Sequence, residues 1–179
     1  EVQKGKERSA KVKQYIKNLS QYKKELTAFE QQGKAVLKTE LEKRFDVESL
    51  LDYQLFNRML MNGDGTQKNW QWFTYDGVKW MVTPYDLDQT FGITLYGFSR
   101  PATHTLSSIS TGPFPFISKY YAQEEADRYA ELRQKRIFSE DLVLSIIHDW
   151  YGRVGTAWYE MEKKRWPESP CYCEAICND

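Results

Sequence analysis

The sequence has few cysteines, few histidines and no long apolar run. Its three cysteines, Cys171, Cys173 and Cys177, all fall in the last nine residues. A C-x-C-x3-C run lacks the paired spacing and the fourth ligand of a structural zinc site. One disulfide with one free thiol stays open for an exported protein. Of the two histidines, His104 has no ligand neighbour in sequence. His148 lies beside an apolar helical face, where a satisfied core or boundary histidine is expected. No stretch of 18 apolar residues exists, so no transmembrane span is expected. No secretory signal is visible, although a trimmed N-terminus would hide one. Net charge is missing as well: 25 Lys/Arg balance 25 Asp/Glu. That balance carries no general footprint for nucleic acid or a membrane surface. Aromatic residues are plentiful at 15%, which argues against a disordered chain.

The balance hides an uneven distribution. Residues 1–45 hold 12 Lys/Arg against 6 Asp/Glu, residues 46–98 hold 3 against 7, and residues 99–179 hold 10 against 12. The acidic middle suits a cation site. Residues 1–30 read as a helix, with Val12, Tyr15, Ile16, Leu19, Tyr22, Leu26 and Phe29 at helical spacing and lysines opposite. The lysine face reads as solvated, or as a surface for an acidic protein substrate. Gly33 breaks this helix, and a shorter one follows through Leu41. Asp46 is placed to cap the next helix, with Phe45 and Leu50 as a hydrophobic staple. Asp52 within that helix reads as a surface residue. Residues 93–113 form a long Ser/Thr/Gly/Pro-rich loop in which Ser107, Ser108, Ser110 and Thr111 could be phosphorylated. Helices resume at Phe114. Ser139 caps a long last helix with Leu142, Val143, Ile146, Ile147, Trp150, Val154, Trp158 and Met161 on its apolar face, weakened at Gly152 and Gly155.

The stretch from Asn62 to Gly92 carries the chemistry. Two aromatic and β-branched runs, residues 69–75 and 78–83, flank Asp76-Gly77, which signals a two-residue type I′ hairpin turn. That turn would pair Phe73 with Trp80, Gln71 with Val82 and Asn69 with Pro84. Asn69, Pro84 and Asp86 would then share a face, joined by Asp88 if the strand stays extended. Oxygen-bearing side chains at that separation suit Mg²⁺, Mn²⁺ or Ca²⁺. Asp64 precedes Asn69 by five residues, the spacing of a kinase catalytic loop. There the Asp meets the substrate hydroxyl and the Asn holds a metal. Lys68 could neutralise a transferring phosphoryl group. Trp70, Trp72 and Trp80 are expected in the core.

The run from Phe45 to Tyr53, Asn62-Gly63-Asp64, Lys68-Asn69 and Pro84-Tyr85-Asp86-Leu87-Asp88-Gln89-Thr90-Phe91-Gly92 resembles the spore coat protein H (CotH) kinase family. The match is close over residues 45–92 and loose beyond. The resemblance implies an atypical kinase-like protein that binds ATP with Mg²⁺ or Mn²⁺ and phosphorylates secreted or coat proteins. It implies Asp64 and Lys68 as catalytic residues, Asn62 and Asn69 in cofactor binding, and Asn69, Asp86 and Asp88 as metal ligands. Which of Asp86 and Asp88 meets the first metal stays open. It implies a bacterial protein located outside the cytoplasm, in the secreted, surface or spore-coat space.

The expected fold is mainly α, of α+β type: the helical C-lobe of a kinase-like fold, with a β-hairpin carrying the site. Residues 1–179 are expected to form a single domain. The chain starts at Glu1 without a Met, and no strand-rich lobe with a phosphate-covering loop lies upstream of residue 45. It is therefore expected to be a fragment without its N-terminal lobe. The expected function is ATP-dependent phosphoryl transfer to Ser/Thr of a protein. The alternative is a non-catalytic scaffold that kept the fold. A metal-dependent hydrolase fits less well, because no His-rich ligand set or nucleophile accompanies the acids.

Overall fold

The computed structural model describes residues 2–93, 106 and 108–167, with side chains from residue 6 onward. Among the described residues it has six α-helices and one two-stranded antiparallel sheet, so the chain is mainly helical as expected. Helix α1 runs Val2–Gln32 and α2 runs Lys34–Arg44. Gly33 separates them at φ 125°, a backbone that L side chains rarely adopt. The two helices bury Leu19, Leu26, Leu37 and Leu41. The guanidinium of Arg44 lies about 5 Å from the Tyr22 and Phe29 rings and pairs with Glu40, which adds cation–π attraction to that packing.

Helix α3, Val47–Met59, is the centre of the fold. Asp46 caps it as expected, accepting from the Ser49 amide at 2.9 Å. Phe45 and Leu50 are both fully buried in one core. The Ser49 hydroxyl accepts from the Val82 amide at 3.2 Å, which ties the start of α3 to the sheet. Phe45 also bridges to Trp80, through Asp46 N to Trp80 O and Trp80 N to Arg44 O, each 2.8 Å. Trp80 is buried, and Trp70 and Trp72 pack half-buried against the same core.

Strands β1 (Trp70–Phe73) and β2 (Met81–Pro84) form the hairpin, one residue out of the expected register. Trp70 pairs with Pro84, Gln71 with Thr83, Trp72 with Val82 and Phe73 with Met81. A type I′ turn needs positive φ at both central residues, and of Asp76 and Gly77 only Gly77 has it, at 79°. The Asp76 carboxylate instead accepts from the Val78 and Lys79 amides at 2.8 and 2.9 Å and from the Thr74 hydroxyl at 3.0 Å. These bonds make a longer connection and hold the Asp76 carboxyl below its ordinary value. A Cβ at Gly77 would come within 2.1 Å of the Tyr15 ring, so α1 sits directly on the turn. A slip of one residue exchanges the faces of a strand. In the observed register Trp70 and Trp72 share a face with Pro84 and Val82 and are half-buried, as expected, while Gln71 and Phe73 are exposed.

Helices α4 (Phe114–Tyr120) and α5 (Ala122–Gln134) pack on α3. Phe114, Ile117 and Tyr121 complete the core. Arg128 of α5 grips Asp52 of α3 with two bonds, at 2.7 and 2.8 Å, and also meets Glu48 and Glu131. Asp52 is a surface residue as expected, its side chain 40% exposed, and it also ties α3 to α5.

Helix α6, Glu140–Arg165, departs from expectation. Ser139 caps it, accepting from the Leu142 amide at 3.3 Å, but none of its residues is buried. Ile146, Trp150 and Trp158 are about 60% exposed, and His148 is exposed rather than a core histidine. Gly155 kinks the helix at φ 73°. No helix among the described residues is long and apolar enough to cross a membrane. Ser108, Ser110 and Thr111 precede α4 without regular structure. His104, Ser107 and the three cysteines lie outside the described residues.

Candidate functional site: an aspartate braced between two loops

The loop after α3 is built from buried amides. Asn62 is fully buried. Its Nδ2 donates to Asn57 Oδ1 at 2.8 Å, and its Oδ1 accepts from the Gly65 amide at 3.1 Å. Asn57 Nδ2 donates to Tyr53 O at 3.0 Å, and the Tyr53 hydroxyl donates to Gly65 O at 2.9 Å. Burial holds the Tyr53 phenol above its ordinary value, which keeps that donor protonated. Gly65 is required by proximity: a Cβ there would lie 2.3 Å from Asn57 Oδ1. Asn62 was expected to bind cofactor. Its amide is enclosed, and both ends are spent on the loop, so here it shapes the loop from inside.

That brace sets up a short 3₁₀ turn, Asp64–Thr66, and delivers Asp64 to the rim. The Asp64 side chain is 16% exposed. Its Oδ2 accepts from Asn69 Nδ2 at 2.8 Å and Gln89 Nε2 at 3.1 Å, and Lys68 Nζ lies 3.3 Å away. Lys68 itself is largely exposed, at 68%. Asp64, Lys68 and Asn69 therefore meet in one place, as their spacing predicts.

The second acidic segment reaches the same place by a different route from the one expected. Tyr85 N donates to Asn69 O at 2.9 Å, one step beyond the ladder. Asn69 and Asp86 then turn out of extended conformation, at φ 64° and 54°. Alternation along a strand no longer applies, so it does not bring Asp88 to the face of Asn69. Asp86 and Asp88 are exposed, and the chain turns at Asp88-Gln89. Phe91 N donates to Leu60 O at 2.5 Å and returns the segment to the end of α3. Among the described residues, four of the five non-glycine positive-φ positions fall here: Met61, Asn69, Asp86 and Phe91. Strained backbone of this kind concentrates where a structure over-determines its side chains.

The donor set is oxygen-rich and suits a hard divalent cation. Asn69 spends its Nδ2 on Asp64, which leaves Oδ1 as its ligating atom. Among the described residues, no three His, Cys, Asp or Glu side chains converge on a point. A cation here would have few protein ligands. Mg²⁺ is commonly held that way, by one or two carboxylates with phosphate oxygens and water. A groove of about 770 Å³ lies elsewhere, between α3, α5 and the start of α6. It is mainly apolar, and Phe91 alone of the Asn62–Gly92 stretch lines it.

Reading the sequence missed Gln89 and the pair Tyr53–Asn57. Asn57 carries a usable signal, since an Asn in the last turn of α3 five residues before Asn62 can brace the loop. Gln89 carries none, because its partner lies 25 residues away. A search of curated proteins and a search of solved structures found no match to the chain. A family model, described as CotH kinase protein, matches residues 1–169. That span is most of the chain, and the chain belongs to the CotH kinase family.

Proposed function

We propose that the chain is the catalytic-loop part of a kinase-like fold that transfers phosphoryl groups from ATP to Ser/Thr of a protein. The carrying observation is the bond from Asn69 Nδ2 to Asp64 Oδ2, 2.8 Å. It joins a residue suited to orient a hydroxyl with one suited to hold a cation. Asp64 accepts the substrate hydroxyl's hydrogen bond and, in transfer, its proton. Asn69 offers Oδ1, and Asp86 and Asp88 offer carboxylates, to Mg²⁺ or Mn²⁺. The bound metal and ATP supply charge neutralisation and the transferable phosphoryl group. Exposed Lys68 can swing from Asp64 to the phosphoryl oxygens. Asn62 shapes the loop. An exported or coat protein is the proposed substrate, and a location outside the cytoplasm follows from that. The test is transfer from radiolabelled ATP with Mg²⁺ or Mn²⁺, comparing wild type with Asp64→Asn. Label transfer lost in the variant supports the reading, and equal transfer overturns it.

A second reading has its own observation. The exposed apolar residues of α6 fit a scaffold that docks partners without catalysis. Under that reading, ATP binding is absent, and Asp64→Asn leaves partner docking on α6 unchanged.

A further inference from the structure

We propose that Gln89 is a positioning residue, orienting the Asp64 carboxylate so that Oδ1 meets the incoming hydroxyl. The inference rests on the kinase reading and names which oxygen acts. Three donors crowd Oδ2: Asn69 Nδ2 at 2.8 Å, Gln89 Nε2 at 3.1 Å and Lys68 Nζ at 3.3 Å. A carboxylate oxygen has two lone-pair sites, so Oδ2 is saturated. Among the described residues, no bond to Oδ1 is present.

The three donors are not equivalent. Lys68 is 68% exposed and free to follow a phosphoryl group. Asn69 belongs to the same loop as Asp64. Gln89 arrives from the segment that carries Asp86 and Asp88, and so couples the metal-ligand segment to Asp64. The terminal torsion of an Asp side chain is broad, and one donor leaves the carboxylate free to swing about that bond. Two amides from different segments fix its plane. Small errors in the placement of a reacting group cost rate steeply.

The test uses Gln89→Met, which keeps length without the donor. Mg²⁺–ATP-dependent transfer to casein, and ATP hydrolysis alongside it, give kcat and KM. Gln89→Met should lower kcat about tenfold, with the KM for ATP and the thermal midpoint unchanged. Unchanged kcat in Gln89→Met, or a parallel loss of kcat and thermal midpoint, would each overturn the inference. A separate readout does not need activity. The Gln89 side-chain amide resonances should move on Asp64→Ala, and unmoved resonances overturn the brace. A wild type inactive in both assays overturns the kinase reading, and the brace is then decided on those resonances.

Discussion

Helices α3 and α6 look alike in sequence and differ completely in the structure. Each has an oxygen-bearing cap, Asp46 or Ser139, and each has apolar residues at helical spacing. Helix α3 buries Leu50, Leu51, Tyr53 and Leu55, whereas α6 buries none of its residues. Periodicity says which face of a helix will be covered and is silent about what covers it. Helix α3 has the sheet, α4 and α5 against it. The site follows the same division, since the Asp64 loop grows from the end of the helix that is held on several sides.

The comparison can be broken by mutation. The largest difference should come from matched truncations. Leu50→Ala should cost about 2–5 kcal/mol as a cavity in the core, and Ile146→Ala no more than about 0.5 kcal/mol as a surface change. Urea unfolding of both measures the contrast, and equal losses would mean that α6 is buried in solution. Next, Tyr53→Phe should cost about 1–3 kcal/mol by leaving the Gly65 carbonyl without its donor. The same change should lower phosphoryl transfer, because the loop that presents Asp64 loosens. Thermal melts and activity measured together check it. The caps come third. Asp46→Ala should cost about 1 kcal/mol, and Ser139→Ala about 0.5 kcal/mol, the low end for a longer, exposed cap bond.

The smallest expected effect is with pH. Glu30, Glu40, Glu124 and Glu131 sit below the ordinary glutamate value of 4.5, each first through a side-chain bond to a Lys or Arg. A lowered carboxyl contributes stability that is complete above the unfolded value and is lost as pH falls through the folded one. These pairs are near the surface, so their shared contribution is small and weakens with salt. The thermal midpoint should fall gently below about pH 4.5, less so at high salt. A midpoint flat with pH would contradict it.

The legible parts of the chain were those decided locally. Gly33 and Asp46 mark helix ends because a backbone conformation and a cap bond are properties of adjacent residues. The spacing of Asp64 and Asn69 survives folding because both lie in one loop. The hairpin register was misread because Asp76-Gly77 matches a two-residue turn, while the Asp76 carboxylate has three donors within three residues and builds a longer one. The positive φ of Asn69 and Asp86 left no trace in the apolar pattern, so the expected extension to Asp88 failed. Gln89 and Arg128 act across 25 and 76 residues, beyond any local rule. The exposure of α6 depends on what meets its apolar face, which its own residues do not encode.

The most direct test of the central claim is calorimetric titration of ATP with Mg²⁺ into the protein and into Asp86→Ala. The proposed site predicts metal-dependent binding by wild type that is lost in the variant while its melting profile is kept. ATP binding of equal strength in both, or no binding by a folded wild type, would contradict it.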